Sequence, residues 1–162
     1  MTGWTQHEAD AWIGLLETHK RLTRALDAEL DAAHGLGLST LELLSRLAAA
    51  GAAWPRLSAL ARDTGLSLSR VSRHMDALER RGLVQRRRCA TDSRAVEAHL
   101  TVAGAALVSE ARAAHAQAVR ERFFAQLSDE EAATLARVFR RLAPRAAEAC
   151  AAVADDGPSP TA

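Results

Sequence analysis

The stretch LARDTGLSLSRVSRHMDALERRGLV, Leu60 to Val84, runs straight into QRRRCATDSRAVEAHLT, Gln85 to Thr101. The two halves obey different periodicities. On a wheel of about 100° per residue with Val71 at zero, Leu68, Met75 and Leu78 each lie within about 60° of it, which makes one packing face. Ser69, Arg73, Asp76 and Arg80 lie opposite, flanked by Arg70 and Ser72. The later residues alternate instead: Val96, Ala98 and Leu100 point one way, and Ala95, Glu97, His99 and Thr101 the other. That period of two belongs to a half-buried strand.

The helical half contains Ala61-x3-Gly65-x5-Val71. This places a small residue where two helices cross, a glycine where a tight turn needs positive φ, and a branched apolar anchor on the second helix. Such spacing predicts a helix-turn-helix, with short helices over Leu57 to Thr64 and Leu68 to Arg81 and Gly82 as the C-cap. A strand from Leu83 to Arg88, a loop from Cys89 to Arg94 and a return strand from Ala95 to Thr101 follow directly, in the order of a winged helix. In that arrangement the second helix enters a major groove and the wing tip offers Arg94 to a minor groove, whose negative potential favours a cation. Asp92 is placed to hold the Arg94 guanidinium by a bidentate pair.

Outward from this centre the chain reads as helix. From His7 to Ala33, Trp12, Leu15, Leu16, His19, Leu22, Leu26, Leu30 and Ala33 recur at spacings of three and four, an amphipathic pattern. Ser39-Thr40-Leu41-Glu42 reads as a capping box opening a second helix that runs to about Ala50, where Gly51 and the Trp54-Pro55 pair end it. A fifth helix is expected from Thr101 toward Gln126, and Ser128 to Glu131 forms another capping box that opens a sixth. Pro144 should kink or interrupt that helix near Arg140 and Arg141. The DDGPSPTA end reads as a disordered tail, residues 154–162.

Composition bounds the rest. The 162 residues are about one domain's worth, and 37 alanines make a mostly helical protein the natural expectation. Twenty arginines against the single Lys20 look like a compositional habit, so an isolated arginine carries little weight. Net charge is only +1, but between Ser67 and Arg94 eight arginines face just Asp76, Glu79 and Asp92. Charge is therefore gathered on the helix-turn-helix and wing. Cys89 and Cys150 lie far apart and form no CxxC pair, which suggests neither a disulfide framework nor a zinc spacing. With no signal-like N-terminus and no apolar run near the roughly 18 residues needed for a bilayer, a cytoplasmic setting without membrane association is expected.

LARDTGLSLSRVSRHMDALERRGLV, the Asp92-x-Arg94 wing and Leu100-Thr101-x-x-Gly104 together resemble the MarR family of bacterial transcription regulators, and the likeness extends to the helical organisation of almost the whole chain. The fold class expected is mainly α with a small β-hairpin wing, a winged helix-turn-helix DNA-binding region over 37–101 plus a helical dimerisation region over 1–36 and 102–153. The resemblance implies a homodimer that binds a palindromic double-stranded operator, represses nearby genes and is released by a small aromatic or phenolic ligand held between the dimerisation and DNA-binding parts. It implies Arg94 as the wing-tip arginine with Asp92 as its orienting partner, and Ser69, Arg70, Ser72 and Arg73 on the base- and phosphate-facing side of the recognition helix. Leu68 departs from the family in standing where relatives often carry proline.

Each signal has a plainer reading. Arg70 and Arg73 alone would be a solvated helix face, and Arg94 with Asp92 an exposed ion pair; their place behind a helix-turn-helix and on a wing favours DNA contact. Arg80, Arg81, Arg86, Arg87 and Arg88 divide between phosphate contact and solubility, with no individual assignment. Cys89 reads as a small half-buried residue before it reads as a redox sensor. Trp12, His19, Trp54 and Phe123 fit either core packing or the lining of a ligand pocket between the first, second and fifth helices. The six histidines show no pair at i, i+4, so no metal site is assigned, and no cofactor. Without a phosphate loop, a serine elbow or a carboxylate pair, an enzyme is not expected. The rival readings are a helical dimeric interaction module without DNA binding and a small helical enzyme.

Overall fold

A computed structural model describes residues 3–143 of the chain, which fall into two compact units, one ending at Val119 and the other beginning at Arg120. The expectations for Pro144, Cys150 and the C-terminal tail lie outside the described residues. The element order is α1 (Gln6–His34), α2 (Leu38–Ala49), α3 (Leu57–Thr64), α4 (Leu68–Arg80), β1 (Val84–Cys89), β2 (Asp92–Leu100), α5 (Val102–Arg122) and α6 (Asp129–Leu142), with a short 3-10 turn, Phe124–Gln126, before α6. This is the expected mainly helical architecture with a hairpin wing.

The first unit has one apolar core. Leu41, Leu43, Leu44 and Leu47 of α2 meet Leu57, Leu60 and Ala61 of α3 and Val71, Met75 and Leu78 of α4, and Leu83, Val84, Ala98, Leu100, Val108 and Ala111 close it. Burying these side chains is what holds three short helices that could not persist alone. Ala61 and Val71 are buried and Gly65 takes φ +69°, so the small-glycine-branched spacing has the geometry it predicted. Leu68 does not: it is 53% exposed. The wheel puts it on the packing face, but as the first residue of α4 it projects past the end of the core, where it lines an open cleft toward the hairpin.

Helix ends separate local from tertiary effects. Thr5 with Glu8 and Ser128 with Glu131 form reciprocal capping boxes on α1 and α6, the second as expected. The Ser39 box does not form. Its helix starts two residues earlier, Gly37 is the N-cap, and Asp27 on α1 supplies the missing acceptor by taking the Leu38 amide proton at 2.7 Å. Glu42 turns outward to Arg46 instead. At the end of α4 the C-cap is Arg81, and Gly82, at φ +71°, is the residue after it, where a left-handed turn lets Leu83 N–H reach back to the Leu78 carbonyl.

The hairpin is tighter than predicted. β1 and β2 pair antiparallel from Val84↔Leu100 to Cys89↔Asp92, leaving Ala90 and Thr91 as the turn, with an irregularity at Arg88/Cys89. Arg94 therefore sits in a strand and not in a loop. Ala98 and Leu100 are buried as the alternation requires, while Val96 is 36% exposed, because the inner face runs off the core toward the tip. The α2–α3 connection adds a third rung, the Ala98 amide donating to the Pro55 carbonyl.

The LTxxG segment is explained by three contacts. Thr101 Oγ1 donates to the Gly82 carbonyl and accepts from Gly104 N–H, and the Thr101 amide donates to the Leu83 carbonyl. A Cβ at Gly104 would lie 1.9 Å from the Leu83 carbonyl oxygen, so only glycine allows α5 to start there.

Beyond Val119, α5 ends at Arg122, short of the expected Gln126, because the chain changes to the 3-10 turn. Phe123 and Phe124 pack edge to face there, with centroids 5.2 Å apart.

Candidate nucleic-acid interface

The site is built on α4 and the wing, both in the first unit. Ser67 caps α4 by accepting the Arg70 amide proton, and its hydroxyl also lies 3.1 Å from that of Ser69. The first turn of the helix is thereby fixed with Leu68, Ser69 and Arg70 exposed. Arg73 is exposed one turn on, and Ser72 is half-buried toward the wing. His74, on the flank facing α2, shares a hydrogen bond with Thr40 Oγ1 at 3.0 Å. Burial, with Arg70 and Arg73 nearby, lowers its pKa, favouring the neutral ring.

The arginines sort themselves by partner. Arg86 reaches back from β1 to α4: Nε and Nη2 donate to Glu79 Oε2 at 2.9 and 2.6 Å, the backbone amide donates to Glu79 Oε1, and Nη1 bonds Asp76. Arg87 pairs with Glu97 at 2.9 Å and lies over the Trp54 ring, 4.2 Å from its centroid, while His99 stacks on the same indole at 5.0 Å. Arg81 donates to the His34 and Gly35 carbonyls, capping the C-terminus of α1 with a cation. Arg80 donates to the Asp76 carbonyl. Among the described residues from Ser67 to Arg94, this leaves the guanidinium groups of Arg70, Arg73, Arg88 and Arg94 without a protein acceptor, two on the helix and two on the wing.

Asp92 is a correction to the expected pair. Its Oδ1 accepts the Arg94 backbone amide at 3.1 Å, and its Oδ2 faces Arg56 Nη1 at 3.7 Å. The carboxylate turns back onto the chain in a local i, i+2 bond to the backbone amide, and Arg56 from the start of α3 occupies the remaining oxygen. Asp92 thus shapes the wing tip and leaves the Arg94 guanidinium outward. Sequence reasoning missed Arg56, which also donates to Cys89 Sγ at 3.4 Å. Cys89 is buried, and the hydrogen bonds of Thr91, assisted by Arg56, pull its thiol below the usual range.

The four residues considered for a pocket have separate local surroundings, three in the first unit and one in the second. Trp12 is 48% exposed and meets Trp4 edge to face; His19 is exposed on α1; Trp54 belongs to the wing stack; Phe123 lies in the second unit against Phe124. A cleft of about 320 Å³ separates α4 from the wing and is lined by Leu68, Ser72, Arg94 and Val96 among others. A second, of about 410 Å³, lies among α2, the end of β2 and α5.

This geometry matches known proteins. The model of the IclR helix-turn-helix domain matches residues 40–88, the span of α2 to α4 with the first wing strand. No curated protein sequence matches the chain. Among solved structures, Sco3205, a MarR-family transcriptional regulator from Streptomyces coelicolor solved in complex with DNA, is 29% identical over 88% of this chain and 89% of its own, with a TM-score of 0.80. AbsC, a MarR-family regulator from the same organism, is 28% identical, covering 91% and 99%, with a TM-score of 0.78. A probable transcriptional regulator from Pseudomonas aeruginosa is 28% identical over 80% and 94%, at a TM-score of 0.69. These likenesses support a DNA-binding regulator. By its helix-turn-helix, its hairpin wing and these neighbours, the chain is a winged helix-turn-helix protein with the fold of the MarR-family transcriptional regulators.

Proposed function

We propose that the protein is a sequence-specific transcriptional regulator acting in the cytoplasm as a homodimer on a palindromic double-stranded operator, as a repressor released by a small aromatic ligand. The observation that carries DNA binding is the sorting of the arginines between Ser67 and Arg94: within that basic block, Arg70 and Arg73 on the exposed side of α4 and Arg88 and Arg94 on the wing are left without a protein acceptor. In this reading Arg70 and Arg73, with Ser69 and Ser72, meet bases and phosphates in the major groove, and Arg94, oriented through its backbone by Asp92, enters the adjacent minor groove. The DNA in the Sco3205 structure supports the same use of the fold. Selection of random duplexes by the purified protein tests it. Enrichment of a palindrome with half-sites about one helical turn apart is expected; a folded dimer that enriches nothing overturns it.

Dimerisation is supported by α1, whose Trp12, Ile13, Leu15 and Leu16 are exposed on the single chain, and by Phe139 and Leu142 exposed on α6. Apolar residues of this size at helical spacing call for a cover. Ligand release is supported by the 410 Å³ cavity, whose walls are mainly apolar with His99, Ser109 and Arg112 as polar groups, a composition suited to an aromatic anion. A panel of aromatic carboxylates and phenols, read by thermal shift and by release of the selected operator, checks it; no compound doing either would remove the ligand from the reading.

A further inference from the structure

Arg86 lies in the middle of the basic block, yet it does not serve as a free cation. Its guanidinium is largely covered, with 25% of the side chain exposed, and it satisfies two carboxylates of the recognition helix at once. Its backbone amide donates to the same Glu79 that its side chain holds, so Glu79 clamps strand β1 by both main chain and side chain. On the other face of the hairpin, Arg87 and His99 both pack on the ring of Trp54 from the α2–α3 connection. The wing is thus held from both sides, and Arg86 is the clamp that ends on α4 itself.

We propose that Arg86 is a positioning residue for DNA recognition: by joining Asp76 and Glu79 to β1 it fixes the wing relative to the recognition helix, so that Arg94 and the face of α4 engage the operator together. The consequence is contrary to simple charge counting. Glu79, an acid beside a basic surface, is required for tight operator binding. A planar two-pronged guanidinium is also required, because a lysine ammonium supplies the charge without the fork that spans Glu79 and Asp76.

The assignment rests on the DNA-binding reading, and the test separates the two. Operator affinity is measured across a salt series for the wild type, Glu79→Gln, Arg86→Lys, Arg94→Ala and the two doubles with Arg94→Ala, with circular dichroism and light scattering to verify fold and mass. If Arg86 positions the wing, Glu79→Gln and Arg86→Lys each weaken binding by about tenfold or more, and each effect shrinks severalfold once Arg94 is absent, the coupling expected of groups acting as a unit. The salt slope barely changes in Arg86→Lys. If Arg86 were instead a phosphate contact, Arg86→Lys would bind nearly as well as wild type and Glu79→Gln would bind more tightly, because one negative charge has been removed. Either of those results, or additivity with Arg94→Ala, overturns the proposal. Glu79→Gln leaves the arginine in place, so a fold lost in Arg86→Lys alone does not remove the test. Should selection yield no operator at all, the DNA-binding reading fails first and this assignment falls with it.

Discussion

Gly104 and His115, both on α5, show how far a single position departs from its propensity. Glycine inside a helix costs about 0.5–1 kcal/mol relative to alanine, so Gly104→Ala ought to stabilise on local grounds. The Leu83 carbonyl 1.9 Å from the would-be Cβ reverses the sign. Destabilisation of roughly 2 kcal/mol or more is expected, as for other overpacked sites, and a denaturant midpoint unchanged or raised would contradict it. His115 is half-buried, its Nδ1 has no hydrogen-bond partner, and burial lowers its pKa from 6.5. A histidine with a depressed pKa binds its proton more readily in the unfolded chain, so the stability it permits is present above pH 6.5 and is lost as pH falls below that value. His115→Leu should remove part of that acid sensitivity without loss of stability at pH 8. Urea titrations at pH 8 and pH 5.5 check this, and parallel pH profiles for the two proteins would refute it.

At the scale of elements, the junctions are held by side chains borrowed from elsewhere in the chain. Asp27 caps α2 from α1, Arg81 caps α1 from the end of α4, and Thr101 ties α5 to the turn after α4. Asp27→Ala leaves the Leu38 amide without its acceptor and should cost about 1 kcal/mol, as loss of an N-cap does. Ser39→Ala, at the position local sequence would have chosen, should cost well under that. Equal losses from the two, measured by thermal or chemical denaturation, would show that Ser39 does cap the helix. In the wing, Trp54 joins the α2–α3 connection to both strands, so its indole fluorescence, read with Trp4 and Trp12 replaced by phenylalanine, reports on whether the hairpin is docked.

For the molecule as a whole the decisive quantities are the salt dependence of DNA binding and the oligomeric state. About 6–10 phosphate contacts per dimer would lower affinity by about 10³–10⁵ between 50 and 200 mM salt, and an affinity indifferent to salt would remove the basic surface from the account. Arg94→Ala should weaken operator binding with the dimer intact. The stripe on α1 makes the complementary prediction: Leu16→Glu, which puts a charge among Trp12, Ile13 and Leu15, should convert the proposed dimer to monomer in light scattering at micromolar concentration while leaving the first unit folded. A dimer of unchanged mass would locate the interface elsewhere.

The periodicities of Leu60 to Thr101 were sufficient by themselves for the helix-turn-helix, the hairpin and their order, because 3.6- and 2-residue patterns record which face is buried and Gly65 records a left-handed turn. Capping at Ser128 was legible too, since its partner is three residues away. What lay beyond the sequence was every interaction whose partner is distant in the chain. The choice of Asp27 over Ser39, the Arg56–Asp92 pair in place of Arg94–Asp92, and the withdrawal of Arg86 from the apparent basic face were all decided by tertiary contacts. Leu68 went wrong for a related reason: a wheel assigns a face to a residue but does not say whether the core extends far enough to cover it. The sequence told which residues were charged; only the fold determined which charges were already spent on each other, because an ion pair depends on a few ångströms of separation that spacing along the chain does not encode.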